Sequence, residues 1–234
     1  MSRAIAVAAL LCLASWPASS VAARKERTPA TLADLAARSA PVRREETVDA
    51  DAAQAARSYE AFLEIPDTDD AMRAQALRRL GDLRLADAEA LRAQDGVESP
   101  AAVAAARESI AAYERLLQEQ PDAASADVVL YQLARAYESV GESVEALAVL
   151  DRLVAAYPQS SHFDEAQFRR GEAFFSEQHY AEAAQAYALV LSRGPTSAFY
   201  EQALYKRGWS LFKESRDADS TATFLELLDR SLVR

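Results

Sequence analysis

Large apolar residues recur every three or four positions in two neighbouring stretches, namely Leu130, Leu133 and Tyr137, and then Ala146, Leu150 and Leu153. This spacing places each set on one side of an α-helix. Gly141 lies between the two stretches and predicts a turn, and Pro158 follows the second and predicts a helix end. The pattern therefore predicts a hairpin of two helices that share one apolar face.

The same hairpin pattern repeats along the chain. Pro121, Pro158 and Pro195 recur at a step of 37 residues, and other columns keep their size class at that step: small at Ala134, Gly171 and Gly208, large at Tyr113, Leu150, Tyr187 and Phe224. One hairpin cannot bury its apolar face alone, so we expect consecutive hairpins to stack. The register predicts repeat units at 123–159, 160–196 and 197–234. Because the last predicted helix keeps unpaired apolar positions, we expect the array to continue beyond the chain end.

The unit at 67–122 departs from the pattern because its hairpin is 16 residues longer than the others. Asp95 and Gly96 predict its turn, Ser99 an N-cap, and Pro100 the first position of its second helix. The preceding residues, 49–66, predict a single helix that ends near a proline. We expect that helix to cap the apolar face of the first hairpin.

The composition agrees with a helical protein and excludes some functions. The chain of 234 residues is 50% hydrophobic and contains only 6 Gly and 8 Pro, which favours an all-α fold. Its formal net charge is −10. A chain that binds nucleic acid or docks on an anionic membrane needs a basic face, so neither class of partner is expected.

The N-terminal residues predict an exported protein. Residues 1–23 have a positive start, an apolar run and a small-residue end, which is the layout of a signal peptide cleaved near Ala23. Residues 24–48 predict a flexible lead-in. The sole cysteine, Cys12, lies in the signal segment, so the mature chain has no thiol or disulfide. We expect a periplasmic protein with no direct membrane insertion after signal removal.

The repeat columns resemble the tetratricopeptide repeat. Its pattern of large, small and aromatic positions followed by a late proline is met by Leu130, Leu133, Ala134, Tyr137, Ala146, Leu150 and Pro158. The resemblance covers roughly residues 51–234. It implies an all-α, right-handed α-solenoid of about 3.5 to 4.5 helical hairpins.

No constellation of catalytic or metal-ligating residues is apparent in the sequence. The two histidines, His162 and His179, fall in predicted loops without a ligand or nucleophile spacing around them. The many carboxylates fall at helix starts and outer faces, where they complement the helix dipole. We therefore expect no enzyme activity, no cofactor and no metal.

The resemblance implies a binding face lined by the first helices of the hairpins. Carried across by register, its positions are Tyr131, Phe168 and Tyr205, then Arg135, Glu172 and Trp209, then Glu138, Phe175 and Phe212, bordered by Arg169, Lys206 and Lys213. Aromatic rings beside cations suit a peptide with aliphatic anchors and an acidic group. At the first and third of these columns, packing between hairpins explains the rings equally well. Trp209 is the leading candidate, because its column is polar in the other units.

These observations predict a non-catalytic scaffold of a Gram-negative cell envelope that binds peptides or helical segments of other envelope proteins. The repeat subtype resembles the periplasmic repeat domains of the Tol-associated cell-division coordinator and of the outer-membrane barrel-assembly lipoprotein. Two alternatives remain open from the sequence. One is an accessory protein that handles peptidoglycan or polysaccharide, and the other is the recruiting arm of a larger envelope enzyme.

Overall fold

A computed structural model of the chain describes residues 51–96 and 99–232. Within these ranges the structure is all-α, as predicted, with nine helices and no strand. The helices are α1 (Ala52–Leu63), α2 (Asp70–Asp95), α3 (Pro100–Glu119), α4 (Ala126–Ser139), α5 (Ser143–Ala156), α6 (Phe163–Ser176), α7 (Tyr180–Leu191), α8 (Tyr200–Lys213) and α9 (Asp217–Leu232). The predicted signal peptide, 1–23, and lead-in, 24–48, lie outside the described residues.

The helices α2 to α9 form four successive hairpins, and each helix packs mainly on its neighbours in the sequence. Helices α3 and α5 both end two residues before a proline, Pro121 and Pro158. The residue before proline is driven out of the helical conformation, which explains these ends. In the part of the chain that the structure describes, no helix is both long and apolar enough to cross a bilayer.

The turn inside each of the last three hairpins has the same backbone conformation. Gly141, Gln178 and Ser215 have φ angles of 79°, 65° and 60° and follow one another at the 37-residue step. This left-handed conformation is free of strain only for glycine. Register therefore fixes the turn even where the residue is not glycine.

The two helices of a hairpin meet where a small residue faces a large one. The facing pairs are Gly81 with Tyr113, Gly171 with Tyr187, and Gly208 with Phe224. A Cβ atom added to Gly81 would lie 2.5 Å from the Tyr113 ring, closer than any real contact. In the α4–α5 hairpin the same register positions hold Ala134 and Leu150, both fully buried. Where the first helix carries a methyl group, the second helix thus carries a leucine instead of a ring.

The first hairpin is longer than the others and carries the predicted caps. The Ser99 hydroxyl accepts a hydrogen bond from the backbone N–H of Ala102, and Pro100 is the first residue of α3. Helix α1 lies on α2, where Arg84 binds Glu60 at 2.5 Å and Arg73 donates to the Leu63 carbonyl at 2.9 Å. Helix α1 thus packs on the first helix of the first hairpin.

The extra turns of α2 and α3 have a small core of their own. Ala88, Ala105 and Ala106 are buried there, and Val140 of the α4–α5 turn packs on them. Arg92 on α2 donates a hydrogen bond to the Ser139 carbonyl. Arg107 on α3 forms an ion pair with Glu142 at 2.8 Å. The extension is therefore attached to the turn of the following hairpin.

Candidate functional site

The first-column aromatics fill the joints between hairpins. Tyr131 on α4 is only 8% exposed and stacks on His162, with ring centroids 4.2 Å apart. Phe168 on α6 packs on Phe199, with ring centroids 5.5 Å apart. His162 and Phe199 occupy the same register position, just before the first helix of the next hairpin. Each of these two rings is thus covered by the start of the following hairpin.

A hydrogen bond fixes Tyr131 further in its joint. Its hydroxyl donates to the Oε1 atom of Glu165 on α6 at 2.7 Å. Burial and this hydrogen bond raise the pKa of Tyr131, so the phenol stays protonated as a donor. Burial opposes ionisation of Glu165, but hydrogen bonds from Tyr131 and Arg169 outweigh it and lower the pKa of its carboxyl.

Three of the four predicted cations are paired with glutamates of the preceding hairpin. Arg135 on α4 binds Glu89 on α2. Arg169 on α6 binds Glu138 on α4 at 2.5 Å, and Lys206 on α8 binds Glu172 on α6 at 2.6 Å. These bonds join first helix to first helix along the array. The fourth cation, Lys213, is exposed and has no ion pair with any other described residue.

An open crevice of about 490 Å³ lies between the α4–α5 hairpin and α6. Its apolar part is formed by Ala146, Leu147, Leu150, Phe168, Ala173 and Phe199. Its polar part consists of Glu138, Glu165, Glu172, Arg169, Ser143 and Ser176. Three carboxylates stand against one guanidinium, so the crevice combines apolar walls with an acidic rim.

The columns predicted from the sequence locate this crevice only partly. Phe168 and Arg169 line it, whereas Tyr131 and Arg135 do not. Glu138 and Glu172 lie in the inner-face columns of the sequence but were not among the predicted binding residues. Leu147 and Glu165 line the crevice from outside those columns.

The remaining predicted residues form a separate aromatic surface on α8. Tyr205, Trp209 and Phe212 are 48%, 38% and 52% exposed. Trp209 makes edge contacts with Phe212 and with Phe224 of α9, both with centroids 5.8 Å apart. Phe175 on α6 is partly buried instead, with its ring edge against Tyr180 and the Lys206 ammonium 5.5 Å from its centroid. The exposed rings are therefore concentrated on the last hairpin.

The described residues contain no cluster of three or more His, Cys, Asp or Glu side chains arranged to hold a metal ion. The rings and ion pairs of the crevice are instead suited to contact with another polypeptide. Apolar walls supply buried area, and a few charged groups at the rim fix orientation.

The sequence pattern of the tetratricopeptide repeat family matches residues 128–160 and 165–197, which span the α4–α5 and α6–α7 hairpins. These two hairpins match the tetratricopeptide repeat. A crystal structure of MamA superimposes with a TM-score of 0.55 at 16% identity, covering 77% of this chain and 89% of that one. A tetratricopeptide repeat protein from Parabacteroides merdae gives a TM-score of 0.54 at 20% identity, covering 77% and 60%.

At these identities the similarity to solved structures concerns the fold alone. A comparison with curated protein sequences finds no match. The two matched repeats nevertheless suggest a general role, because tetratricopeptide repeats serve as scaffolds that bind other proteins. The resemblance stated from the sequence is confirmed at the level of the repeat family.

Proposed function

We propose that this chain is a non-catalytic periplasmic adaptor that binds segments of envelope proteins in the crevice between the α4–α5 hairpin and α6. The signal-like residues 1–23 and the lack of cysteine after Cys12 support export. The crevice carries the proposal, because it is an open volume of about 490 Å³ with apolar walls in a repeat fold built for protein contact.

The charges of the crevice define the segment that it accepts. Arg169 is engaged by Glu138 and Glu165, so it offers little free positive charge to a ligand. Glu172 is paired with Lys206, so the three carboxylates of the rim exceed their two paired cations by one charge. The bound segment therefore presents an apolar anchor to Leu147 and Phe168 and a lysine or arginine to the rim. This replaces the acidic ligand expected from the sequence.

Filling the crevice tests this assignment. Ser176 lies at its rim, and its hydroxyl donates to the carbonyl three residues earlier, as does that of Ser192 at the end of α7. Both serines are exposed. Ser176→Trp places a large side chain against the crevice, whereas Ser192→Trp is a matched control outside it.

We expect photocrosslinking in intact cells, from a photoreactive amino acid at position 147, to yield discrete protein adducts. Ser176→Trp should abolish these adducts and Ser192→Trp should retain them. Adducts that survive Ser176→Trp would show that the crevice is not the binding site. Osmotic-shock fractionation of the same cells tests the location, and retention of the chain with cytoplasmic markers would refute a periplasmic adaptor.

A sugar-binding role, the alternative from the sequence, rests on the exposed rings of α8. These rings meet edge to face, with interplanar angles of 76° for Tyr205 with Trp209 and 89° for Trp209 with Phe212. A sugar stacks best on a flat platform, which these angles do not provide. The geometry thus favours an irregular apolar partner over a glycan.

A further inference from the structure

We propose that a helix of a partner protein docks on the exposed surface of the last hairpin and carries an aromatic ring at its start and a lysine or arginine seven residues later. This surface, the α8–α9 face, consists of Tyr205, Trp209, Phe212, Leu225 and Leu228. It shares no residue with the crevice, so the inference goes beyond the proposed function and does not depend on it.

The two preceding hairpins show how this register is covered. The ring of Tyr131 is covered by His162, and that of Phe168 by Phe199, each 31 residues further along. Tyr205 is the next member of that column and is 48% exposed. An occupant that repeats the packing of the earlier joints therefore offers an aromatic ring just before its first helical turn.

The same two joints define a cation. Arg169 follows His162 by seven residues and binds Glu138 at 2.5 Å. Lys206 follows Phe199 by seven residues and lies 5.5 Å from the centre of the Phe175 ring. Glu138, Phe175 and Phe212 form one column, so Phe212 is the residue that a cation of the docked helix would contact.

Aromatic rings at this position can hold a cation without a carboxylate. Lysine and arginine are attracted to the face of an aromatic ring within about 6 Å. Phe212 and Trp209 stand at 89° to each other, so they present two faces in different directions. The net charge of −10 adds a general attraction for a cationic helix.

Apolar positions on α9 extend the surface. Leu225 and Leu228 are 54% and 55% exposed. Leu225 has the register of Asp151, whose carboxylate binds Arg170 of the next hairpin at 2.6 Å. This position therefore points toward the following helix, and a leucine there calls for an apolar contact. A contiguous exposed patch of this kind marks an interaction site.

No free segment among residues 51–96 and 99–232 has the pattern of the occupant. At a helix start, the spacing of ring and cation occurs in the described residues only in α6 and α8. Both helices are packed between neighbouring helices of the array. The described part of a second copy therefore has no free segment with the required pattern, and the proposal assigns the occupant to another protein.

A fluorescein-labelled, helix-stapled peptide with the sequence of residues 197–213 is the probe, because it contains Phe199 and Lys206 at the required spacing. Binding to the full-length chain is measured by fluorescence anisotropy. We expect saturable binding that Trp209→Ala in the protein weakens at least about tenfold, as for a central aromatic contact. Lys206→Ala in the peptide should weaken it about threefold.

Leu189→Ala is the control variant, since Leu189 is an exposed apolar residue on α7 outside this face. Circular dichroism should show the same helix content for Trp209→Ala as for the unmodified chain at the temperature of the binding assay. Equal losses for Leu189→Ala and Trp209→Ala would overturn the proposal, as would the absence of binding at millimolar peptide.

Two further measurements separate the alternatives. If sedimentation velocity shows a dimer that Trp209→Ala dissociates, the face belongs to a second copy and the inference is wrong. Ser176→Trp fills the crevice and should leave peptide binding unchanged. Adducts that survive Ser176→Trp, together with peptide binding that Trp209→Ala weakens, would refute the proposed function and support this inference. Adducts that Ser176→Trp abolishes, together with no peptide binding, would support only the proposed function.

Discussion

Replacing Gly171 by alanine tests the packing that joins the two helices of a hairpin. The new methyl group would overlap the Tyr187 ring, which is fully buried and has no room to move. Overpacking of this kind costs about 1–3 kcal/mol. Alanine recovers about 1 kcal/mol of helix propensity relative to glycine. We expect Gly171→Ala to lower the free energy of unfolding by up to about 2 kcal/mol.

Tyr187→Leu should also destabilise the chain, because it leaves a cavity and removes the hydroxyl that donates to Glu172. A loss of about 2–4 kcal/mol is expected for a buried large-to-small change. The double variant, however, recreates the pair that Ala134 and Leu150 form in the neighbouring hairpin. The added methyl group then fills part of the cavity, so the two losses should not add. We expect a favourable coupling of about 1–2 kcal/mol.

Urea unfolding followed by far-ultraviolet circular dichroism measures all four corners of this double-mutant cycle on the full-length chain. The reverse exchange, Ala134→Gly with Leu150→Tyr, is the matched experiment in the α4–α5 hairpin. Losses that add to within about 0.5 kcal/mol in the Gly171 cycle would refute the reasoning. In that case the small and large positions are independent features of each helix.

Three further outcomes follow from the same structure. Gln178→Gly removes a left-handed conformation from a non-glycine residue and should raise the melting temperature by about 1–4 °C, as measured by scanning calorimetry, whereas Gln178→Ala should not. Burial and the hydrogen bond to Glu172 raise the pKa of Tyr187, so its contribution to stability is present below about pH 10 and is lost as the pH rises. Tyr187→Phe should therefore reduce the fall in urea midpoint between about pH 9 and 11. The pKa of Glu165 is lowered, so its contribution to stability depends on pH in the opposite direction: it is present above the usual pKa of 4.5 and is lost on acidification. Glu165→Gln should therefore reduce the fall in urea midpoint below that pH.

The repeat fold was predictable because it is encoded many times over. A small residue, a ring and a proline at one fixed step leave little freedom for any other arrangement, and Ser99 with Pro100 marked a helix start that the structure confirms. Single helices would have been harder to place, since local patterns without a repeat are ambiguous at their ends.

The binding surface was less predictable, because a column of equivalent positions does not state which neighbour covers each member. Tyr131 and Tyr205 share a column, yet one is buried in a joint and the other is half exposed. The partners of Arg135 and Arg169 come from the preceding hairpin, 46 and 31 residues away. Only the stacked arrangement reveals that these cations are already neutralised. Trp209 was expected to be accessible, and its side chain is 38% exposed.

The lengthened first hairpin affects which helices of the array unfold locally first. Its extra turns hold the Ser139 carbonyl and Glu142 on both sides of the α4–α5 turn, through Arg92 and Arg107. Fraying of α4 must break these long-range attachments, whereas the ion pairs within the described α6–α7 and α8–α9 turns are local ones. Amide protons of α4 should therefore exchange with solvent more slowly than those of α8, although the two helices have the same length. The long hairpin thus makes the α4 end of the array locally more stable than the α8 end.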